Sequence, residues 1–155
     1  MTLSVDLQFA DSRWRKVRAL SARLEAAAIL ALRRGKAPAS AALTVLLADD
    51  ARLKALNHAY RRMAKPTNVL SFPAAANAEN YLGDVALAYE TTREEAKLQN
   101  KRFADHATHL VVHGVLHLLG FDHVTARQAG TMEPLEARIL RELGIANPYA
   151  TEAAR

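Results

Sequence analysis

Apolar and polar residues alternate over residues 3–9, the two-residue period of a strand with one buried face. From Ser12 onward the period lengthens. Trp14, Val17, Leu20, Leu24, Ala27 and Ala28 recur at helical spacing. They predict one long helix, capped by Asp11 or Ser12 and running to about Arg34, with Gly35 placed to end it. Residues 43–47, apolar apart from Thr44, read as a buried strand, after which Asp49 or Asp50 caps a short helix through Arg61. Pro66 stops that helix. Residues 68–72 read as a short extended segment, 73–80 as a loop, and 82–89 as a fourth strand broken by Gly83. Thr91 or Thr92 opens helical sequence with a break near Asn100. A strong helix follows over residues 104–119, and a last one over 126–143. About four strands and four or five helices predict an α+β or α/β fold. No repeat or linker divides the chain, so one domain is expected over residues 1–155, frayed over roughly the last eight.

Composition narrows the chemistry. There is no cysteine among the 155 residues, so disulfides and thiolate metal sites are excluded, and any metal must be held by nitrogen and oxygen. No apolar run approaches the ~18 residues of a membrane span. The opening residues lack the pattern of a secretory signal, which makes a cytoplasmic protein the expectation. The net charge of +5 is uneven. Residues 1–65 carry 13 Lys/Arg against 5 Asp/Glu, a net of +8, whereas residues 66–155 carry 8 against 11, a net of −3. A basic half of this kind suits a polyanionic partner, because Lys and Arg gain affinity by releasing phosphate counterions.

Five of the six histidines fall close together: His106, His109, His113, His117 and His123. His113 and His117 are one helical turn apart, so both imidazoles project from one face and can reach a single Zn²⁺ at ~2.0–2.1 Å. Gly120 is placed to end the helix in a positive-φ turn, which frees His123 to approach as a third ligand. Three His ligands leave one tetrahedral position open, the mark of a catalytic zinc. His109 cannot join a trio with His113 and His117, since eight helical residues rise ~12 Å. Packing, a supporting contact to a ligand, or a substrate contact are its roles on this reading. It could pair with His113 instead, yet only the His113/His117 pair has a glycine turn and another His placed just after it.

In zinc peptidases of the H-E-x-x-H kind, the Glu after the first His is the general base. Here that position is Gly114, which argues against peptide hydrolysis. Phosphodiester cleavage depends less on that carboxylate but calls for an arginine to stabilise the charge that develops on the phosphate.

The run from His113 to His123 is similar to the motif of the bacterial YbeY family of single-strand-specific endoribonucleases. So are the block from Leu56 through Arg61, the block from Pro66 through Phe72, Gly83-Asp84, and the stretch from Met132 to Gly144. Ala64 and Phe121 depart from the family's usual residues. The resemblance implies an α+β fold, a small mixed sheet of about four strands packed with about five helices. It implies one zinc per chain on His113, His117 and His123, with Arg61 important for activity as a phosphate or transition-state contact. It also implies RNA as substrate, in maturation of the 3′ end of small-subunit rRNA and ribosome quality control, with the small ribosomal subunit and assembly factors as partners. Two other readings compete: a peptidase-like zinc hydrolase, and a ribosome-assembly factor with a structural zinc. Asp84 is either an orienting partner of a ligand His or a turn carboxylate. Asp122 either supports a ligand or caps the last helix. Ser71 and Phe72 are candidates to line a groove for a stacked base, although Phe72, like Trp14, fits the core better.

Overall fold

The alternation near the amino terminus folds as strand β1, Ser4–Phe9, with every second side chain exposed. The chain is described here by a computed structural model that covers residues 2–61, 67–122 and 125–148, without the side chains of Tyr60 and Arg61. The expected fraying of the last residues lies largely outside this range.

Strands β2 (Ala42–Ala48), β3 (Val69–Pro73) and β4 (Tyr81–Ala88) join β1 in one mixed sheet of order β1-β2-β4-β3. β1 and β4 both run parallel to β2, and β3 is antiparallel to β4. Five α-helices accompany the sheet among the described residues: α1 (Leu20–Arg34), α2 (Asp50–Arg61), α3 (Tyr89–Leu98), α4 (Phe103–Leu118) and α5 (Ala126–Glu142). The architecture is therefore α+β.

Register decides which side chains face which way. Val45 lies opposite Val85 and Leu47 opposite Leu87. With Leu43 they point to one face and are at most 1% exposed. Helices α1 and α4 cover them, and burying each side chain of this size contributes about 1.5–3 kcal/mol. The opposite face is thinner. There Leu70, Ala86, Ala88 and the half-buried Leu46 and Phe72 meet Leu53 and Leu56 of α2.

The long helix expected from Ser12 to Arg34 is instead two pieces. Ser12–Lys16 is a single 3-10 turn, and α1 begins only at Leu20, after Ala19 adopts a left-handed φ of 60°. The break lets Trp14 turn fully inward, where its indole N–H donates to the Ala48 carbonyl at 2.8 Å and its ring packs on Tyr89 and Phe103. A continuous helix would carry Trp14 on the stripe that α1 presents to α4. Tertiary burial outweighs local propensity.

Gly35 ends α1, but the left-handed residue is Lys36, with φ 61°. Glycine serves here for space, since a Cβ at position 35 would stand 2.5 Å from the Leu119 side chain and 2.9 Å from the Ala31 carbonyl oxygen. Gly83 does not end β4, which runs through it at φ +133°, but the pairing with β2 is irregular there, with Tyr81 opposite Ala42 and Gly83 opposite Leu43. Between the two possible caps of α2, Asp49 accepts the Arg52 N–H at 2.8 Å, while Asp50 turns to Thr91.

The charge asymmetry along the chain also folds onto itself. Arg13 pairs with Glu90 at 3.2 Å, Arg23 with Asp105 at 2.7 Å and Arg34 with Glu142 at 2.7 Å, each joining the basic half to the acidic one. Arg15, Lys16, Arg18, Arg52 and Lys54 stay exposed.

Candidate metal centre

One residue lets helix α4 pack directly against the sheet. A Cβ at Gly114 would sit 2.5 Å from Val85 Cγ1 and 3.3 Å from Ser71 Oγ. Ser71 uses that proximity to donate its hydroxyl to the Gly114 carbonyl at 3.0 Å. The position that carries the catalytic Glu in H-E-x-x-H peptidases therefore faces the sheet, with no room for a side chain of any size.

With its apolar face committed to the core, α4 turns His106, His109, His113 and His117 along another side. Successive ring centroids lie 6.1, 6.2 and 4.6 Å apart. The last pair is the closest, and His113 Nε2 stands 3.1 Å from His117 Nε2. Just beyond, Gly120 takes φ +97°. The Phe121 N–H reaches the Leu116 carbonyl, and the Gly120 N–H reaches that of His117, each at 3.0 Å. This is the Schellman ending expected of a glycine there. His123, the third histidine of the motif, lies outside the described residues. Arg61 closes α2, and its side chain is likewise outside them.

Helix α5 supplies a residue that sequence reasoning missed. Glu136 has no exposed surface, and Oε2 lies 3.0 Å from His113 Nδ1 and 2.8 Å from His109 Nε2. A buried carboxylate is costly unless charged partners satisfy it. Burial alone would raise its pKa, but hydrogen bonds from His109 and His113 outweigh that and hold it at about 2. An ionised carboxylate only accepts, so His113 donates to it from Nδ1, which leaves Nε2 facing His117. The start of α5 is fixed by a reciprocal capping box, in which Thr125 and Gln128 satisfy each other's backbone N–H. A signal for Glu136 was present in the sequence: it falls on the stripe of α5 that also holds Met132, Ile139 and Leu140, all buried.

Among the described residues, two groupings could hold a metal. One atom each from His109, His113 and Glu136 lie within 4.8 Å of one another. The other grouping uses the facing Nε2 atoms of His113 and His117. His113 offers Nδ1 to the first and Nε2 to the second, so the same ring serves both.

Further along α4, the buried His106 places Nε2 2.9 Å from Glu95 Oε1, and the Asn68 amide donates to the same oxygen at 3.0 Å. Burial lowers the His106 pKa, against the opposing pull of Glu95. Asp84 is not part of this side. Its neighbour Val85 touches Gly114, so Asp84 projects from the other face, where it is exposed and accepts the Tyr81 hydroxyl. Phe72 is half-buried on that same face, beside Leu56 and Asp84 in a groove of about 520 Å³.

A family profile described as Endoribonuclease YbeY matches residues 8–144. A protein of Chelativorans sp. (strain BNC1) named Endoribonuclease YbeY is 45% identical over 152 residues, covering 95% of this chain and 93% of its own. A namesake from Parvibaculum lavamentivorans is 53% identical, covering 73% of this chain and 68% of its own; one from Ruegeria pomeroyi is 40% identical, covering 97% and 100%. Among solved structures, the solution structure of TM1509 from Thermotoga maritima superposes with a TM-score of 0.55 at 20% identity, covering 95% of this chain and 99% of that one. At that identity the likeness speaks to the fold. The profile match and the full-length relatives establish that the chain belongs to the YbeY family.

Proposed function

We propose that this chain is a metal-dependent endoribonuclease that cuts single-stranded RNA, with zinc held by His113, His117 and His123. One observation carries the reading: two imidazole Nε2 atoms converge to 3.1 Å, and the ring of His113 is anchored from behind by Glu136. Bonds of ~2.0–2.1 Å in tetrahedral geometry place ligand atoms roughly 3.3 Å apart, so little movement is needed for one ion to take both. His113 would hold the ion through Nε2, with Glu136 on Nδ1 as an orienting partner rather than a ligand. The alternative grouping would require Glu136 to exchange its two imidazole contacts for the ion.

When bound, the ion supplies Lewis acidity toward a phosphoryl oxygen and acidifies the attacking water. The chain's own residues do the rest. Glu136 places a fixed negative charge behind His113, and Arg61 supplies a guanidinium for the charge that develops on the phosphate. The exposed Arg15, Lys16, Arg18, Arg52 and Lys54 favour a polyanionic partner. The relatives' name, Endoribonuclease YbeY, supports RNA as substrate. A role at the 3′ end of small-subunit rRNA, on the ribosome and in the cytoplasm, is the setting we propose. No helix among the described residues is long and apolar enough to cross a membrane, which agrees with that setting.

A peptidase reading would need a carboxylate beside the first ligand, and Gly114 has no space for one. Metal analysis of the purified protein, paired with cleavage of single-stranded and duplex rRNA fragments, tests the proposal. About one zinc per chain and cutting of the single strand alone are expected, both lost in His117→Ala. Full zinc content and full cleavage in His117→Ala would overturn it.

A further inference from the structure

The histidine stripe of α4 continues away from His117 into a cavity of about 400 Å³, a size that admits a small ligand. His113 and His109 form part of its wall, so the cavity adjoins the proposed metal centre. Asn68, Glu95, Gln99 and Lys101 contribute from the start of β3 and from the end of α3 and the turn after it. The lining thus brings two amides, a carboxylate, an ammonium group and imidazoles together from separate parts of the chain. Glu95 is held in place by hydrogen bonds from two of these groups. Oε1 takes both His106 Nε2 at 2.9 Å and the Asn68 amide at 3.0 Å, whereas Oε2 lies 3.4 Å from that amide and is less committed. The side chain keeps 31% of its surface exposed. Lys101 and Gln99 are exposed.

We propose that this cavity is a subsite for one unpaired nucleotide next to the scissile phosphate, and that Glu95 selects an amino-bearing base over uracil there. The inference rests on the endoribonuclease reading and deepens it. Its logic is donor against acceptor. A carboxylate held rigidly by two donors offers only acceptor capacity to a ligand. Adenine, cytosine and guanine each present an exocyclic amine that can satisfy it. Uracil presents carbonyl oxygens on either side of its one N–H, and these repel the carboxylate. Lys101 provides a cation for the phosphate of the bound nucleotide. A base can enter such a cavity only when it is unpaired and unstacked, so the subsite also gives single-strand selection a physical origin.

The test has two arms. In the first, zinc-loaded wild-type protein cuts single-stranded oligoribonucleotides that differ at one flanking nucleotide at a time. Cleavage efficiency should fall roughly tenfold when uracil occupies the subsite position, the scale of one hydrogen bond to a charged group. Glu95→Gln, whose amide both donates and accepts, should bring the four bases within about twofold of one another. Lys101→Ala should lower efficiency for all four bases without changing their order. In the second arm, AMP, CMP, GMP and UMP are titrated into the same protein while the imidazole NMR signals of His106 and His109 are followed. Those signals should shift with the first three at lower concentration than with UMP.

Wild-type cleavage that ignores every flanking base overturns the subsite and leaves the endoribonuclease reading intact. So does a Glu95→Gln enzyme that keeps the wild-type order. Absence of RNA cleavage by the wild type overturns the endoribonuclease reading and this proposal's place in it. The nucleotide titration then stands as a separate test, in which four equal responses, or none, rule out a base-selective cavity.

Discussion

The two faces of the sheet differ by a shift of one residue along β4. Val85 points to the face covered by α1 and α4, where it touches Gly114 beneath the histidine stripe; Asp84 points to the other, beside Tyr81 and the groove near α2. The open face has the larger cavity, about 520 Å³ against about 400 Å³ beside the histidines, and it carries Asp84 and Arg52. Yet none of His106, His109, His113 and His117 lines it. What distinguishes the covered side is satisfaction of buried charge, with Glu136 fully buried between two imidazoles. Cavity size alone points to one face; convergence of titratable groups points to the other.

The sharpest way to break this contrast is Arg61, because it closes α2, the helix on the open face. If its guanidinium contacts the scissile phosphate, the site draws on both faces across the edge strand β3. Arg61→Lys should then slow single-turnover cleavage roughly a hundredfold, since lysine lacks the planar two-point grip. Zinc content and melting temperature should stay at wild-type values. Arg62→Lys is the control and should cut at the normal rate. Equal, undiminished rates for both variants would confine the chemistry to the covered side.

A smaller effect is expected from Glu136→Gln. Glutamine keeps the shape but offers no fixed negative charge to His109 and His113. Loss of such an orienting partner commonly lowers metal affinity 10–100-fold. Competition with a chromophoric chelator reads that change directly, apart from activity. A lower melting temperature with unchanged zinc affinity would reduce Glu136 to a packing role.

Much of this was legible along the chain, and the exceptions share a cause. The strands were readable because each has a buried side, and α4 because His113 and His117 recur at one helical turn before Gly120. The break before α1 was not, because it follows from a hydrogen bond between Trp14 and Ala48, 34 positions away. Asp84 could not be assigned to a face until Val85 was seen against Gly114. The pairing of Glu136 with His113 spans 23 positions and two helices, so no local period reports it. A Glu on the apolar stripe of α5 was nevertheless a usable sign, since an acidic residue at a core position needs a partner.

Gly114 tests the covered face through packing. Gly114→Ala places a methyl 2.5 Å from Val85 Cγ1, so the Val85 side chain or one of the two elements must shift. Overpacking of this kind costs about 1–3 kcal/mol, or roughly 2–4 °C of melting temperature per kcal/mol for a chain of this size. Val85→Ala should make room. In the double variant the two losses should sum to less than the separate effects, the signature of a direct contact. Simple additivity would show that the close approach of α4 to β4 is not what restricts position 114.

The smallest effect is expected on the open face, from Asp84→Asn. Asp84 lies on the side of β4 away from the histidines, and its side chain is bound by the Tyr81 hydroxyl. Zinc affinity and cleavage of single-stranded RNA should therefore match wild type, and stability should change by less than about 1 kcal/mol, as for most exposed substitutions. One property should still move. The Tyr81 pKa is raised above the ordinary 10.0, first by burial and next by its hydrogen bond to Asp84, with Thr44 pulling the other way. A phenol that donates to a carboxylate loses that bond when it ionises, and it also brings a second negative charge beside the first. Asparagine accepts the hydroxyl without carrying a charge, so the second of these penalties disappears. Tyrosinate absorbance in Asp84→Asn should accordingly develop at lower pH than in wild type, while burial continues to oppose ionisation. A shift in that titration with unchanged zinc affinity is the outcome expected of two faces that work independently. A fall in zinc affinity on the same substitution would mean that the faces communicate through β4, and the division at Val85 would have to be abandoned.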